Sequence, residues 1–199
     1  MADTIGFFDS QFKRQVASHD FVLNPFEQAA LPYLKGRVLD LGCGLGNLAL
    51  EAGRRGCTVL AVDASPVAVE RINRDAAEGK LNVCAIVGDI DTYEISGSYD
   101  TAVAIGLLAF FPRQKALSLL ASLQAHVSAN GCAIINSLIE GTTYMEMFQE
   151  GHYTLFGRDE LEQRFSGWQC CLSRHDAFDA PNGTRKVFST IIACRMADA

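Results

Sequence analysis

The chain is short of several things whose absence narrows its function. It has no CxxC pair and no cysteine–histidine cluster at metal-ligand spacing, so no metal centre is expected. Its longest apolar run, residues 102–111, is far too short to span a bilayer, so no membrane partner is expected. No apolar core marks residues 1–15 as an export signal, which points to a cytoplasmic protein with its thiols reduced. Basic residues are outnumbered, 17 Lys and Arg against 23 Asp and Glu, for a net charge of −6. Lys13-Arg14 and Arg54-Arg55 are isolated basic pairs, and without a basic stripe a nucleic-acid partner is not expected. The seven cysteines, Cys43, Cys57, Cys84, Cys132, Cys170, Cys171 and Cys194, mostly sit in apolar runs and read as small core residues. Cys170-Cys171 would place its two side chains on opposite faces of a strand, against a metal or redox pair.

What is present is a single-domain composition, 199 residues with 49% hydrophobic and 20% charged. The pattern after the opening segment is strand alternating with helix. Residues 7–34 read as largely helical, with Phe8, Phe12 and Val16 one face apart and Asn24-Pro25 dividing two helices, the second ending before Pro32. Strands follow at 37–41, 58–62, 82–87, 99–105 and 132–138. Helices are expected at 47–55, stopped by Gly56, and from Ser65-Pro66 to about Glu78. A long one should run from Pro112, with Ala116, Leu119, Leu120, Leu123 and Val127 on one face, to Asn130-Gly131. A short helix at 158–165 precedes two late strands, 168–174 and 187–195, which have no helical period between them and should pair antiparallel. These elements predict an α/β fold: a doubly wound, seven-stranded, mostly parallel sheet closed by a C-terminal antiparallel hairpin, over one domain, 1–199. Such sheets bind ligands at the carboxyl ends of their strands.

The decisive stretch is Val38-Leu39-Asp40-Leu41-Gly42-Cys43-Gly44-Leu45-Gly46-Asn47. A hydrophobic strand runs into an acid and then three glycines at alternate positions. Glycine lets the backbone turn sharply and approach a ligand with no Cβ in the way. Asp40 is aimed at the cleft, where a carboxylate attracts an α-ammonium. Asp63 ends the next strand, 21 residues after Gly42, at the spacing of an acid that accepts hydrogen bonds from both ribose hydroxyls. Beside it Ala64 and Ser65 would line the cleft. Asp89 follows the third strand, placed for an adenine amino group, with Ile90 to pack on the ring. Ile105 and Gly106 close the fourth, where backbone would line the pocket. A dinucleotide site fits less well. Asn47 stands where the third glycine of G-x-G-x-x-G belongs, and Asp40 would repel a pyrophosphate. A Walker loop is excluded because no Gly-Lys-Ser/Thr follows the glycines. The ligand these residues specify is S-adenosyl-L-methionine.

Leu39-Asp40-Leu41-Gly42-Cys43-Gly44 and the acid-ended second strand resemble the class I S-adenosylmethionine-dependent methyltransferases. Within that class, Leu155-Phe156-Gly157-Arg158-Asp159-Glu160-Leu161, then Phe165-Ser166-Gly167-Trp168 and Pro181-Asn182-Gly183-Thr184-Arg185, are similar to the tellurite-resistance (TehB-like) methyltransferases. The resemblance implies methyl transfer to a small oxyanion such as tellurite or selenite, without a metal. It implies an anion held by a His-Arg pair and a further arginine. Arg185 matches the further arginine. The pair has no counterpart, and Arg174-His175 stands nearby in reversed order.

The acceptor side should come from the N-terminal helical segment 1–34 over the cofactor cleft, from residues 139–153 as a substrate lid, and from the loop 178–185. The lid segment holds Tyr144, Met145, Met147, Phe148, His152 and Tyr153, suited to an apolar or soft substrate. His152 is the candidate base and Arg185 the candidate anion-binding group. Trp168 is expected to pack the hairpin onto the core. The Asn/Asp-Pro-Pro-aromatic motif of nucleic-acid amino methyltransferases is absent after the fourth strand, where Phe110-Phe111-Pro112 stands. A small-molecule acceptor, tellurite-like or a thiol, is therefore expected, for a monomer or a homodimer. A catalytically silent cofactor-binding module remains the other reading, with an NAD-dependent oxidoreductase behind both.

Overall fold

The computed structural model describes residues 2–18 and 21–197. His19 and Asp20, within the opening helical stretch expected from sequence, lie outside the described residues. Seven strands form one sheet: β1 (Arg37–Leu41), β2 (Thr58–Asp63), β3 (Val83–Val87), β4 (Tyr99–Ile105), β5 (Val127–Leu138), β6 (Gln169–Ala180) and β7 (Thr184–Cys194). Their order across the sheet is β3-β2-β1-β4-β5-β7-β6. β1 to β5 pair parallel, and β7 runs antiparallel between β5 and β6. The central strands are apolar on both faces because helices cover both: Val38, Leu39 and Leu41 are each at most 1% exposed. The helices α1 (Ala2–Ser18), α2 (Pro25–Ala30), α3 (Asn47–Arg54) and α4 (Pro66–Gly79) precede α5 (Arg113–Ala125) and α6 (Glu160–Arg164). One core holds α5 and α6 side chains such as Leu120, Leu123 and Leu161 against Leu39, Ala102 and Ile135. The other packs Leu48, Val69 and Ile72 from α3 and α4 against Val38, Val103 and Ile134. Strand neighbours alternate between the two cores, as a doubly wound sheet requires. Among the described residues no helix is long and apolar enough to cross a membrane.

The helix-start signal at Ser65 acts as read, and Asn24, read only as a break between helices, is a cap as well. Ser65 Oγ accepts from the Ala68 amide at 3.3 Å to start α4. Asn24 caps α2 reciprocally: Asn24 Oδ1 accepts from the amides of Phe26 and Glu27, while Glu27 Oε2 accepts from the Asn24 amide at 2.8 Å. Trp168 meets Phe165 edge to face at 5.3 Å.

Three expectations need correction. The long helix stops at Ala125, and Val127 opens β5 instead of closing the helix face. The i, i+4 spacing of Leu123 and Val127 also suits a helix, but Tyr99 claims Val127 as a strand partner before a register shift restores Thr101 to Cys132. The hairpin is longer than expected, twelve and eleven residues around a turn at Pro181–Gly183, so the loop read at 178–185 is mostly paired strand. The cysteines are not all reduced core residues: Cys84, Cys170 and Cys171 are exposed, and Cys132 and Cys194 are joined by a disulfide. Their register across β5 and β7 sets them directly opposite, a relation that a sequence separation of 62 conceals.

Candidate active site

A cleft of about 540 Å³ opens at the carboxyl ends of β1 to β5, within the range of small-molecule sites. The glycine turn forms its floor. The amides of Gly42 and Cys43 donate to the Val62 carbonyl at 2.8 and 3.2 Å, fastening the turn to β2. At Gly42 φ is +69°, and a Cβ would lie 2.6 Å from Leu107 Cδ1. Gly106 has φ +70° and open space where a Cβ would be. Both positions demand glycine, the first for backbone and packing, the second for its left-handed backbone.

Asp63, at the end of β2, braces this turn. Its Oδ2 accepts from the Gly44 amide at 2.8 Å and its Oδ1 from the Ser65 amide at 2.9 Å. Asp40 is 5% exposed. Burial, reinforced by the negative charges of Glu27 and Asp63, pushes its carboxyl up to about 8. Burial likewise raises Glu27 and Asp63, with amide donors opposing the rise. None of the ion pairs among the described residues involves these three acids. The inner end of the cleft therefore holds acid in excess and favours a cationic ligand. Cys43 is held protonated, its thiol raised well above the usual range by burial and by Asp40 and Asp63. This suits a lining residue and not a nucleophile.

Of the sequence-derived cofactor residues, Asp40, Gly42, Cys43, Gly44, Asn47, Asp63, Ala64, Ser65, Asp89, Ile90, Ile105 and Gly106 all line the cleft. Gly46 is not among the lining residues. It faces Ile72 of α4 instead and allows α3 and α4 to approach. Asp89 is exposed, with one oxygen accepting from the Asp91 amide, while Ile90 is buried beside it. α1 lies over the turn: Phe8, Gln11, Phe12 and Gln15 line the cleft, and Ser65 Oγ donates to Asp9 Oδ1 at 2.6 Å. That bond and Lys13 hold Asp9 below the usual carboxylate range.

The far wall is built from residues inside strands that motif reading missed. Lys186 and Phe188 of β7 line it with Asn136 and Leu138 of β5. Leu138 pairs with Phe188, and Asn136 with Thr190, so these side chains share one sheet face. Asn136 is fully buried. Its Nδ2 donates to Thr190 Oγ1 at 2.9 Å, and its Oδ1 has no partner among the described residues. Lys186 is half-buried, with Nζ 4.7 Å from the centre of the Tyr144 ring, and burial depresses its ammonium. Alternation sends Arg185 to the opposite face, exposed, with Nε donating to the Gly141 carbonyl at 3.1 Å. Arg185 does not line the cleft, and neither does His152, which is exposed. Arg174 pairs with Asp176 at 2.7 Å, and His175 Nε2 lies 2.7 Å from the Arg158 carbonyl, so both are engaged away from the cleft lining. In the 139–153 segment Met147 reaches the cleft, while Phe148 stacks on Tyr153 at 5.0 Å and touches Phe110 at 5.2 Å.

The family described as a methyltransferase domain matches residues 38–131. Residues 38–131 carry a methyltransferase domain of the S-adenosylmethionine-dependent class. The chain is 32% identical over 133 residues to Hemagglutinin 1 of Eikenella corrodens, across 67% of this chain and 44% of that protein. It is 26% identical over 133 residues to the probable S-adenosyl-L-methionine-dependent methyltransferase TehB of Haemophilus influenzae (strain 10810), across 67% and 46%. The chain thus spans less than half the length of these two relatives. The crystal structure of TehB from Haemophilus influenzae superposes with a TM-score of 0.75 at 21% identity, covering 87% of this chain and 62% of that one. The sheet, mostly parallel with a terminal antiparallel pair, has the fold of that TehB structure. The acid-rich inner cleft fits the cofactor of this class, whose α-ammonium and sulfonium are both cationic.

Proposed function

We propose that the chain transfers a methyl group from S-adenosylmethionine to a small, soft or anionic acceptor, a thiolate or a tellurite-like oxyanion. One observation carries this reading: a single cleft runs from the acid-rich glycine turn to half-buried Lys186 on the opposite wall, the one cation among its described lining residues. The methionine ammonium would sit by Asp40 and Glu27, the ribose hydroxyls on Asp63 and the adenine by Asp89 and Ile90. Gly42 and Gly44 give the floor, and Ile105 and Gly106 lie beside the reacting sulfur. When bound, the cofactor supplies a sulfonium methyl already activated for in-line displacement. The protein's part is to place the nucleophile behind that methyl and exclude water.

Lys186 holds the acceptor's negative charge and keeps its nucleophilic atom unprotonated. Asn136 Oδ1 accepts a hydrogen bond from whatever donor the acceptor carries; left unpaired, it would cost roughly 1–3 kcal/mol. Phe110, Phe188 and Met147 supply the apolar wall. The 139–153 segment and α1 act as the cover, and no separate general base is required for an acceptor that arrives ionised. The test is release of S-adenosylhomocysteine by the full chain with small thiols, selenite and tellurite, repeated with Lys186→Met. Release that collapses in the variant supports the proposal. Tight cofactor binding with no release for any acceptor would favour a silent binding module.

A further inference from the structure

Three sulfurs meet at the end of the sheet remote from the cleft. Cys132, at the inner stretch of β5, is 2% exposed and bonded to Cys194, its direct partner near the end of β7. On the other side of β7, Gln169 pairs with Cys194 and Cys170 with Ala193, and then the register shifts before Leu172 pairs with Ile192. Cys171 is the extra residue at that irregularity. A bulge rotates its extra residue out of strict alternation, which lets Cys171 reach the face that Cys194 occupies. Its Sγ lies 3.4 Å from Cys194 Sγ, in sulfur–sulfur contact. Cys171 is solvent-exposed and Cys194 partly so, whereas Cys132 is buried.

We propose that Cys171 is a thiol–disulfide exchange site, through which small external thiols reach a bridge whose far sulfur is buried. The Cys171 thiolate attacks Cys194 Sγ. A Cys171–Cys194 bond forms, the Cys132–Cys194 bond breaks, and Cys132 leaves as a thiolate that takes a proton from solvent. This step is an isomerisation and needs no oxidant. The exposed bond it creates is then open to an external dithiol, which is oxidised to its own disulfide while Cys171 and Cys194 are reduced. Reduction frees β5 from β7 at this end of the sheet, with the ladder hydrogen bonds left to hold the strands. Cys170, one residue earlier, pairs in regular register and has no part in the exchange.

The experiment is reduction of the full chain by dithiothreitol, quenched by alkylation and read by peptide mass spectrometry, in a Cys170→Ser background so that Cys171 peptides are unambiguous. The expected result has two parts: a Cys171–Cys194 linked peptide beside the Cys132–Cys194 one, and release of the Cys132 thiol at least about tenfold slower in Cys171→Ser. Alkylating Cys171 in the native protein before adding dithiothreitol should slow release equally, which covers a variant that fails to fold. Equal release rates with and without Cys171, or no Cys132–Cys194 peptide in any non-reduced sample, would overturn the proposal.

Discussion

The two walls of the cleft are built by different rules. On the wall proposed for the cofactor each residue stands at or just past the carboxyl end of a strand: Asp40 and the glycines at β1, Asp63 at β2, Asp89 at β3, Gly106 at β4. On the wall proposed for the acceptor Asn136, Lys186 and Phe188 lie within strands, and Lys186 has a basic neighbour, Arg185, that faces elsewhere. The first wall is defined by where strands end, the second by which way a pleat turns. Substitutions should therefore separate them, with the cofactor wall sensitive in binding and the acceptor wall sensitive in turnover.

The largest effect is expected at Asp63. Its carboxylate braces the Gly44 and Ser65 amides and would also hold both ribose hydroxyls. Two charge-assisted bonds at about 1.5–3 kcal/mol each predict roughly a 10²–10⁴-fold loss of cofactor affinity in Asp63→Ala, by calorimetry. Its melting temperature should fall as well, because two amides lose their acceptor. Unchanged affinity would remove Asp63 from the site.

Next is the pair Lys186→Met and Arg185→Gln, adjacent in sequence and opposite in facing. The first should lower kcat/KM for an anionic acceptor by about 10- to 100-fold with cofactor affinity unchanged, the cost of one charge-assisted contact. The second should change it by less than about threefold. The reverse ranking would mean that the acceptor binds outside the cleft described.

A smaller, pH-dependent effect is expected at Asp40. Its carboxyl is raised from 3.8 to about 8 in the fold. Between those values the folded protein retains a proton that the unfolded chain has lost, so ligand-free stability falls as pH rises through the interval. The contribution is complete below it and gone above about 8. Asp40→Asn should flatten the melting-temperature profile across pH 5–8.5, on the order of several degrees at the upper end. In the unaltered protein cofactor affinity should increase with pH over the same range, since a cation binds the ionised form. A profile equally steep in the variant would place the titration elsewhere. The smallest change is expected from His152→Ala: within about twofold in initial rate, as for an exposed side chain away from such features.

Legibility in the sequence followed the same division. The glycine turn and its acids could be read because tight backbone geometry admits few residue types, so composition reports conformation. The sheet was readable because central strands must be apolar on both faces. Arg185 was singled out because it matches the further arginine of the TehB-like resemblance, and nothing in a linear string marks that Lys186, one residue on, is the one facing the cleft. That depends on Thr190 pairing with Asn136 in the middle of the sheet. Val127 was assigned to a helix because a four-residue spacing suits two conformations until a partner strand decides. Glu27 was missed because its position in the cleft follows from how α2 packs, and the cysteine trio because its members come from three strands and one irregular register.

Glu27 ties these scales together. One of its oxygens closes the cap that starts α2, while its charge raises the proton affinity of Asp40 across the cleft. A six-residue helix is marginal by itself and depends heavily on its cap. Any cation drawn to the acids therefore acts on both: it relieves repulsion between the two carboxylates and, through the same side chain, steadies the first turn of α2. The cap of that small helix and the charge of the cleft thus share one side chain, and a change at either is felt at the other.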